Sequence, residues 1–205
     1  SLSSARRGLK VFAHQRKIYA VGGYDGRFLK STEYASVQSN NGLTSWQIST
    51  NEAHLERYIH AAAHSNDTLY VLGGHQHRVG SMTNGDVEST RINDDGTLDP
   101  WFIEKSRLNK PRFIASAFAL NKYLYILGGH NGGNRLKSVE FAPIYSDGHI
   151  GQFELTSPLG TERSASVVAI TGNRVYIIGG MSNYGTLAQV EMAKASKNGH
   201  LGHSD

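Results

Sequence analysis

Four arginines and four glutamates recur at matched intervals through this 205-residue chain, and theirs is the first chemistry the sequence offers. Arg6, Arg57, Arg112 and Arg163 each stand 16 residues before the first glycine of a pair: Gly22-Gly23, Gly73-Gly74, Gly128-Gly129 and Gly179-Gly180. Glu33, Glu88, Glu140 and Glu191 follow those pairs inside short apolar segments such as Ser138-Val139-Glu140-Phe141-Ala142. A guanidinium fork grips a carboxylate through two parallel hydrogen bonds. The arginines therefore suit either a cationic ring for a carboxylate ligand or a structural pair with the glutamate of the same unit. Recurrence in step with the glutamates favours the structural pair, since a feature present in every unit serves the unit.

Other chemistry is thinner. His75-x-His77 with His130 is the one metal-like grouping, but no carboxylate has matching spacing, so no metal site is expected. No Ser-His-Asp or Gly-x-Ser-x-Gly arrangement appears. The Gly-x-x-Gly combinations fall in turns rather than ahead of helices, which gives no phosphate cradle. There is no cysteine, hence no disulfide and no thiolate ligand. No cofactor is expected.

The elements that must position these residues come as a repeat. Leu124-Tyr125-Ile126-Leu127 runs into Gly128-Gly129, and the same pattern starts at Ile18, Leu69 and Val175 with Tyr19, Tyr70 and Tyr176 in phase. The first glycines are 51, 55 and 51 residues apart, a period that marks an array of one supersecondary unit. Between arginine and Tyr segment lie small residues and a polar turn, as in Ala61-Ala62-Ala63-His64-Ser65-Asn66-Asp67, which predicts strand A, a tight turn, and strand B ending at the glycines. The glutamate segment is strand C. A turn on Asn41-Gly42, Asp95-Gly96, Asp147-Gly148 and Asn198-Gly199 follows, because Asx-Gly accepts the positive φ of tight hairpins. Trp46, Trp101 and Phe153 then open strand D, and the four tyrosines belong to the core.

Strand, Gly-Gly, Glu-containing strand, Asx-Gly turn and Trp at this spacing resemble the kelch repeat of β-propellers. The form Asp95-Gly96-Thr97-Leu98-Asp99-Pro100-Trp101 is similar to that of kelch arrays common in bacterial proteins. The resemblance implies an all-β propeller with blades at about 5–52, 53–107, 108–158 and 159–205. In the last of these, Ser204 stands where the aromatic of strand D belongs, so the fourth blade is expected to lack its outer strand. The chain reads as an excerpt of a ring of six to eight blades, completed by further blades of the same chain or by a second copy. Kelch propellers also occur in copper radical oxidases resembling galactose oxidase, whose cross-linked cysteine has no counterpart in these blades.

In such a blade the arginines and the loops after Gly-Gly share one rim, and the Asx-Gly turns lie on the other. That places Tyr24, Asp25 and Arg27, then His75, His77 and Arg78, then His130, Asn131, Asn134 and Arg135, then Met181, Asn183 and Tyr184 around one mouth. The loop Gln76 to Gly85 is the longest of its kind and the first choice for a specific contact. Net charge is +4 but the basic residues are scattered, which argues against nucleic acid. No apolar run approaches the roughly 18 residues that span a bilayer. The compartment is not legible, with a periplasmic, secreted or cell-surface setting slightly favoured. The expected function is non-catalytic binding of a protein or glycan at the mouth. The alternative is a sugar-processing enzyme similar to the kelch-type sialic-acid epimerases, with Arg, Glu or His acting as acid and base.

Overall fold

The computed structural model describes residues 1–76 and 85–203. Its strands form four successive antiparallel sheets of four strands each. The first sheet holds β1 (Lys10–His14), β2 (Lys17–Tyr24), β3 (Phe28–Ser36) and β4 (Gln47–Ile48) in that order. The second holds β5 (Ala61–Ser65), β6 (Thr68–Leu72), β7 (Val87–Arg91) and β8 (Phe102–Ile103), and the third β9 (Ser116–Leu120), β10 (Tyr123–Leu127), β11 (Val139–Pro143) and β12 (Glu154–Thr156). The fourth begins with β13 (Val167–Thr171) and β14 (Arg174–Ile178). After a ribbon of β15 (Met181–Ser182) and β16 (Gly185–Thr186), it ends with β17 (Val190–Ala195) and β18 (Leu201–His203). The innermost strands β1, β5, β9 and β13 lie against one another in sequence, and their alanines suit that crowding. No helix among the described residues is long and apolar enough to cross a membrane.

Alternation along each second strand divides the core. Leu124 and Ile126 pack toward the second sheet, with Tyr70, Leu72 and Phe153, while Tyr125 and Leu127 pack toward the fourth, with Val175 and Ile177. Period-two side-chain direction gives one strand two cores, so every sheet is glued to both neighbours. Tyr19, Val21, Leu69, Val71 and Trp101 form the matching layer between the first and second sheets.

Polar ties fasten both ends of each seam. Tyr19 donates its hydroxyl to the Gly96 carbonyl at 2.9 Å, Tyr70 to Gly148 at 2.6 Å, and Tyr125 to Gly199 at 2.7 Å, each in the turn of the next sheet. At the other rim, the N–H groups of Gly23, Gly74 and Gly129 donate to the carbonyls of Arg57, Arg112 and Arg163. A belt runs just beyond: Ile59 N–H donates to Gly8 O at 2.9 Å, Ile114 to Ile59 at 2.8 Å, and Ala165 to Ile114 at 3.0 Å. All four belt residues are left-handed, with φ of +63°, +49°, +50° and +56°. Gly128 shows why the glycine pair is needed. Its φ is +59°, and a Cβ there would sit 2.4 Å from the Arg163 carbonyl oxygen.

Three sequence expectations need correction. The fourth sheet does have a fourth strand, because Leu201–His203 pairs with β17 directly after the turn. The second and third sheets have only the single bridges Ile92↔Leu98 and Ile144↔Ile150 at that place. Ser204 lies outside the described residues. The first turn is framed one residue early: Gly42 donates to Asn40 Oδ1 as Thr97 does to Asp95, so Asn41, at φ +64°, holds the place of Gly96. And β2 runs through Gly22-Gly23 with a register shift into a tight turn rather than stopping there. Trp101 and Phe153 sit buried one residue ahead of β8 and β12, and Trp46, half-buried, stands likewise ahead of β4.

Candidate functional site

The four phased arginines point into their own sheets. Arg57 Nη2 lies 2.9 Å from Glu88 Oε2, Arg112 Nη2 2.5 Å from Glu140 Oε1, Arg6 Nη2 2.5 Å from Glu33 Oε1, and Arg163 bonds Glu191. The guanidinium groups are 0–2% exposed. Nη1 of each donates to the carbonyl of the first glycine: Gly22, Gly73, Gly128 and Gly179. Each glutamate also accepts N–H groups of the connector leading into its unit. Glu88 takes His54 and Leu55, Glu140 takes Asn109 and Lys110, Glu191 takes Gly160 and Thr161, and Glu33 takes Ser3. Burial lowers the affinity of Arg57 and Arg112 for their protons, and Glu88 and Glu140 oppose that shift. These pairs hold the strand exit and the incoming connector together, which leaves neither partner free for acid–base work.

The mouth surface is made by different residues. The position after each arginine forms a two-residue bridge with the position after each glycine pair: Arg7↔Tyr24, Tyr58↔His75, Phe113↔His130 and Ser164↔Met181. Their rings make a continuous crescent. Tyr24 and Tyr58 are 5.5 Å apart between centroids, Phe28 is 5.6 Å from Tyr24, His75 is 6.5 Å from Tyr58 and 3.9 Å from Phe113, and Phe113 is 5.1 Å from His130. The Arg7 guanidinium lies 5.2 Å from the Tyr24 ring centroid and 5.5 Å from that of Tyr58. At the far end Arg135 bridges to His130 and donates through Nε to Ser164 Oγ at 3.1 Å, with Nη2 at Met181 Sδ. Its backbone N–H donates to Asn183 Oδ1.

Of the residues the sequence placed at the mouth, Tyr24, His75, His130, Arg135, Met181 and Asn183 are brought together here. Asp25 and Arg27 form the exposed tip between β2 and β3, where Arg27 N–H donates to Asp25 Oδ1. Asn131 caps its own turn by accepting from Gly133 and Asn134, and Tyr184 projects 96% exposed from the β15–β16 ribbon. His77, Arg78 and most of the loop from Gln76 to Gly85 lie outside the described residues. His75 and His130 each contact the Phe113 ring at a tilt, and no group of three or more His, Asp or Glu among the described residues is placed to hold a metal. Arg7, Phe28, Tyr58 and Phe113 escaped sequence reasoning. The signal for Arg7, Tyr58 and Phe113 was positional, since one residue past each phased arginine the column reads Arg, Tyr, Phe, Ser; Phe28, at the start of β3, carried no such signal.

Two histidines at and beneath the mouth have a lowered affinity for the proton. His130 is depressed by burial, with Arg135 adding to the effect. His60, directly under the mouth, is fully buried with neither ring nitrogen hydrogen-bonded among the described residues. Burial first, then Arg57 and Lys10, push its pKa down to about 3. Leu9, Ala115 and Ser166 hold the same place in the other units, so His60 is a departure confined to the second.

Comparison with known proteins agrees with this architecture. The Kelch motif matches residues 5–34 and 111–140. Alpha-scruin of Limulus polyphemus is 26% identical over 201 residues, covering 95% of this chain and 21% of that protein. Kelch-like protein 26 of Danio rerio is 28% identical over 186 residues, covering 85% of this chain and 28% of that protein. The chain thus spans between a fifth and a third of these relatives' lengths. The solved structure of YjhT superposes with a TM-score of 0.76 over 100% of this chain and 71% of that one, at 14% identity, a likeness of fold alone. Repeat phase, motif matches, relatives and sheet topology converge: this chain is a kelch-repeat array, built as four-stranded sheets of a β-propeller.

Proposed function

We propose that the chain is a protein-interaction module that receives its partner at the mouth, on the crescent from Tyr24 through Tyr58, His75 and Phe113 to His130. One observation carries the reading: this surface combines large, partly exposed rings with the Arg7 and Arg135 guanidinium groups, neither of which has a carboxylate partner among the described residues. Aromatic and arginine side chains dominate the energetics of protein interfaces because they bury much area at low entropic cost and pair strongly once desolvated. The kelch-repeat character of the relatives supports the same reading. The glutamates that sugar chemistry would draw on are committed to the connectors.

Photo-crosslinking tests it. A benzophenone side chain at Tyr184 or Tyr24 is expected to give discrete protein adducts in a native lysate, whereas one at Asn121 on the opposite rim gives none. Adducts from Asn121 alone would overturn the assignment of the face. Capture of a glycan on an array by the chain, abolished by Tyr58→Ala and with no protein adduct, would move the ligand class to carbohydrate.

A further inference from the structure

A groove of about 520 Å³ opens beside the mouth, along the seam between the third and fourth sheets. Lys110, Arg135 and Lys137 line it against a single acid, Glu162, which accepts the Asn183 N–H at 3.4 Å. The Lys110 and Lys137 ammonium groups are exposed and have no hydrogen-bond or ion-pair partner among the described residues, and the Arg135 guanidinium has no carboxylate. Part of the lining is apolar: Leu155, 54% exposed on the short edge strand β12, together with Leu136 and Pro158. Arg135 belongs to both surfaces, so the groove continues the crescent without a break.

We propose that this groove binds an acidic, extended segment of the partner protein, with glutamate or aspartate side chains meeting Lys110, Arg135 and Lys137 and an aliphatic side chain on Leu155. The inference rests on the mouth being the protein-binding face and names the chemistry of what lies across it. Three cations facing one engaged acid complement a negative chain. The apolar part of the lining and Glu162 disfavour a nucleic acid, whose phosphates would find repulsion and no base platform there. Lys110 comes from the connector entering the third unit and Arg135 and Lys137 from the segment after Gly128-Gly129, so the cations stand on two separate stretches of the lining.

The test is fluorescence anisotropy on the chain with a short fluorescein-labelled peptide in which glutamates flank a leucine. Binding is expected, weakened by added salt, and reduced about tenfold or more by Lys110→Glu with Lys137→Glu. Leu155→Ser is expected to weaken it less, and Lys122→Glu on the opposite rim to leave it unchanged. Equal affinity for the lysine analogue of the peptide, tighter binding of a single-stranded oligonucleotide, or indifference to the double substitution would overturn the proposal. Competition by free glutamate at the same concentration as the peptide would reduce the site to one for small anions and overturn it likewise. The crosslinks from Tyr24 and Tyr184 keep the two readings apart: if they persist while the peptide fails to bind, the groove falls and the mouth stands.

Discussion

The arginine at the head of each unit and the residue that follows it are one peptide bond apart and obey different rules. The arginine column does not vary, lies 0–2% exposed, and spends its donors on a glutamate and a glycine carbonyl of the same sheet. The next column reads Arg7, Tyr58, Phe113 and Ser164, lies at the mouth with all but the buried Ser164 reaching the surface, and differs at every step along the array. Repetition here marks what holds a sheet together, and variation marks what meets the outside. A rigid inner layer lets the outer layer change without loss of register.

The largest expected difference separates those two columns. Arg57→Ala or Arg112→Ala leaves a buried carboxylate without its cation and should cost about 3–5 kcal/mol in denaturant unfolding, to a similar degree at both sites. Parent-like stability in both would break the comparison outright. Acid should act next. His60 is neutral when folded, with a pKa of about 3, whereas the unfolded chain takes up a proton below about 6.5. Stability present above pH 6.5 is therefore lost as pH falls toward 3, by about 2 kcal/mol at pH 5, and His60→Leu should flatten that slope. An unchanged slope would mean that His60 finds a proton partner in solution.

Smaller effects sharpen the contrast. Tyr70→Phe deletes one hydroxyl that donates to Gly148 across a seam and should cost about 1 kcal/mol, read as a shift in urea midpoint with the m-value unchanged. Arg7→Ala, in the outer column, should alter stability by no more than about 0.5 kcal/mol while reducing crosslinking from Tyr24. A cost as large as that of Arg57→Ala would erase the distinction between the layers.

What recurs in phase was readable from the residues. The hexapeptide and its glycines, the Arg–Glu partnership, the burial of Tyr19, Tyr70 and Tyr125 (Tyr176, expected in the core with them, is only half-buried) and the assignment of the loops to one rim all follow from four copies compared against one another. What departs from phase was not. Asn41-Gly42 looked like the sister of Asp95-Gly96, yet asparagine itself tolerates the left-handed conformation, so the turn took Asn40-Asn41 as its corner. Ile59 and Ile114 at positive φ run against the steric preference of β-branched residues, and nothing local announces them; only the neighbouring sheets hold them there. The aromatic crescent was hidden for a related reason, since Tyr58 and Phe113 touch His75 and His130 across bridges formed only once the glycine pairs have turned the chain.

The backbone belt of Gly8, Ile59, Ile114 and Ala165 has a direction, the N–H of each of the last three donating to the unit before it, and it uses no side-chain atom. Glycine, two isoleucines and alanine all occupy it, whatever their side chains. Loss or duplication of one whole unit would leave every such bond with a counterpart, whereas a gain of one residue between the arginine and the left-handed position would put donor and acceptor out of step. Arrays of this kind are thus free to change length in whole modules by recombination, and the mouth can acquire or shed a contact residue without any rewiring of the wall behind it.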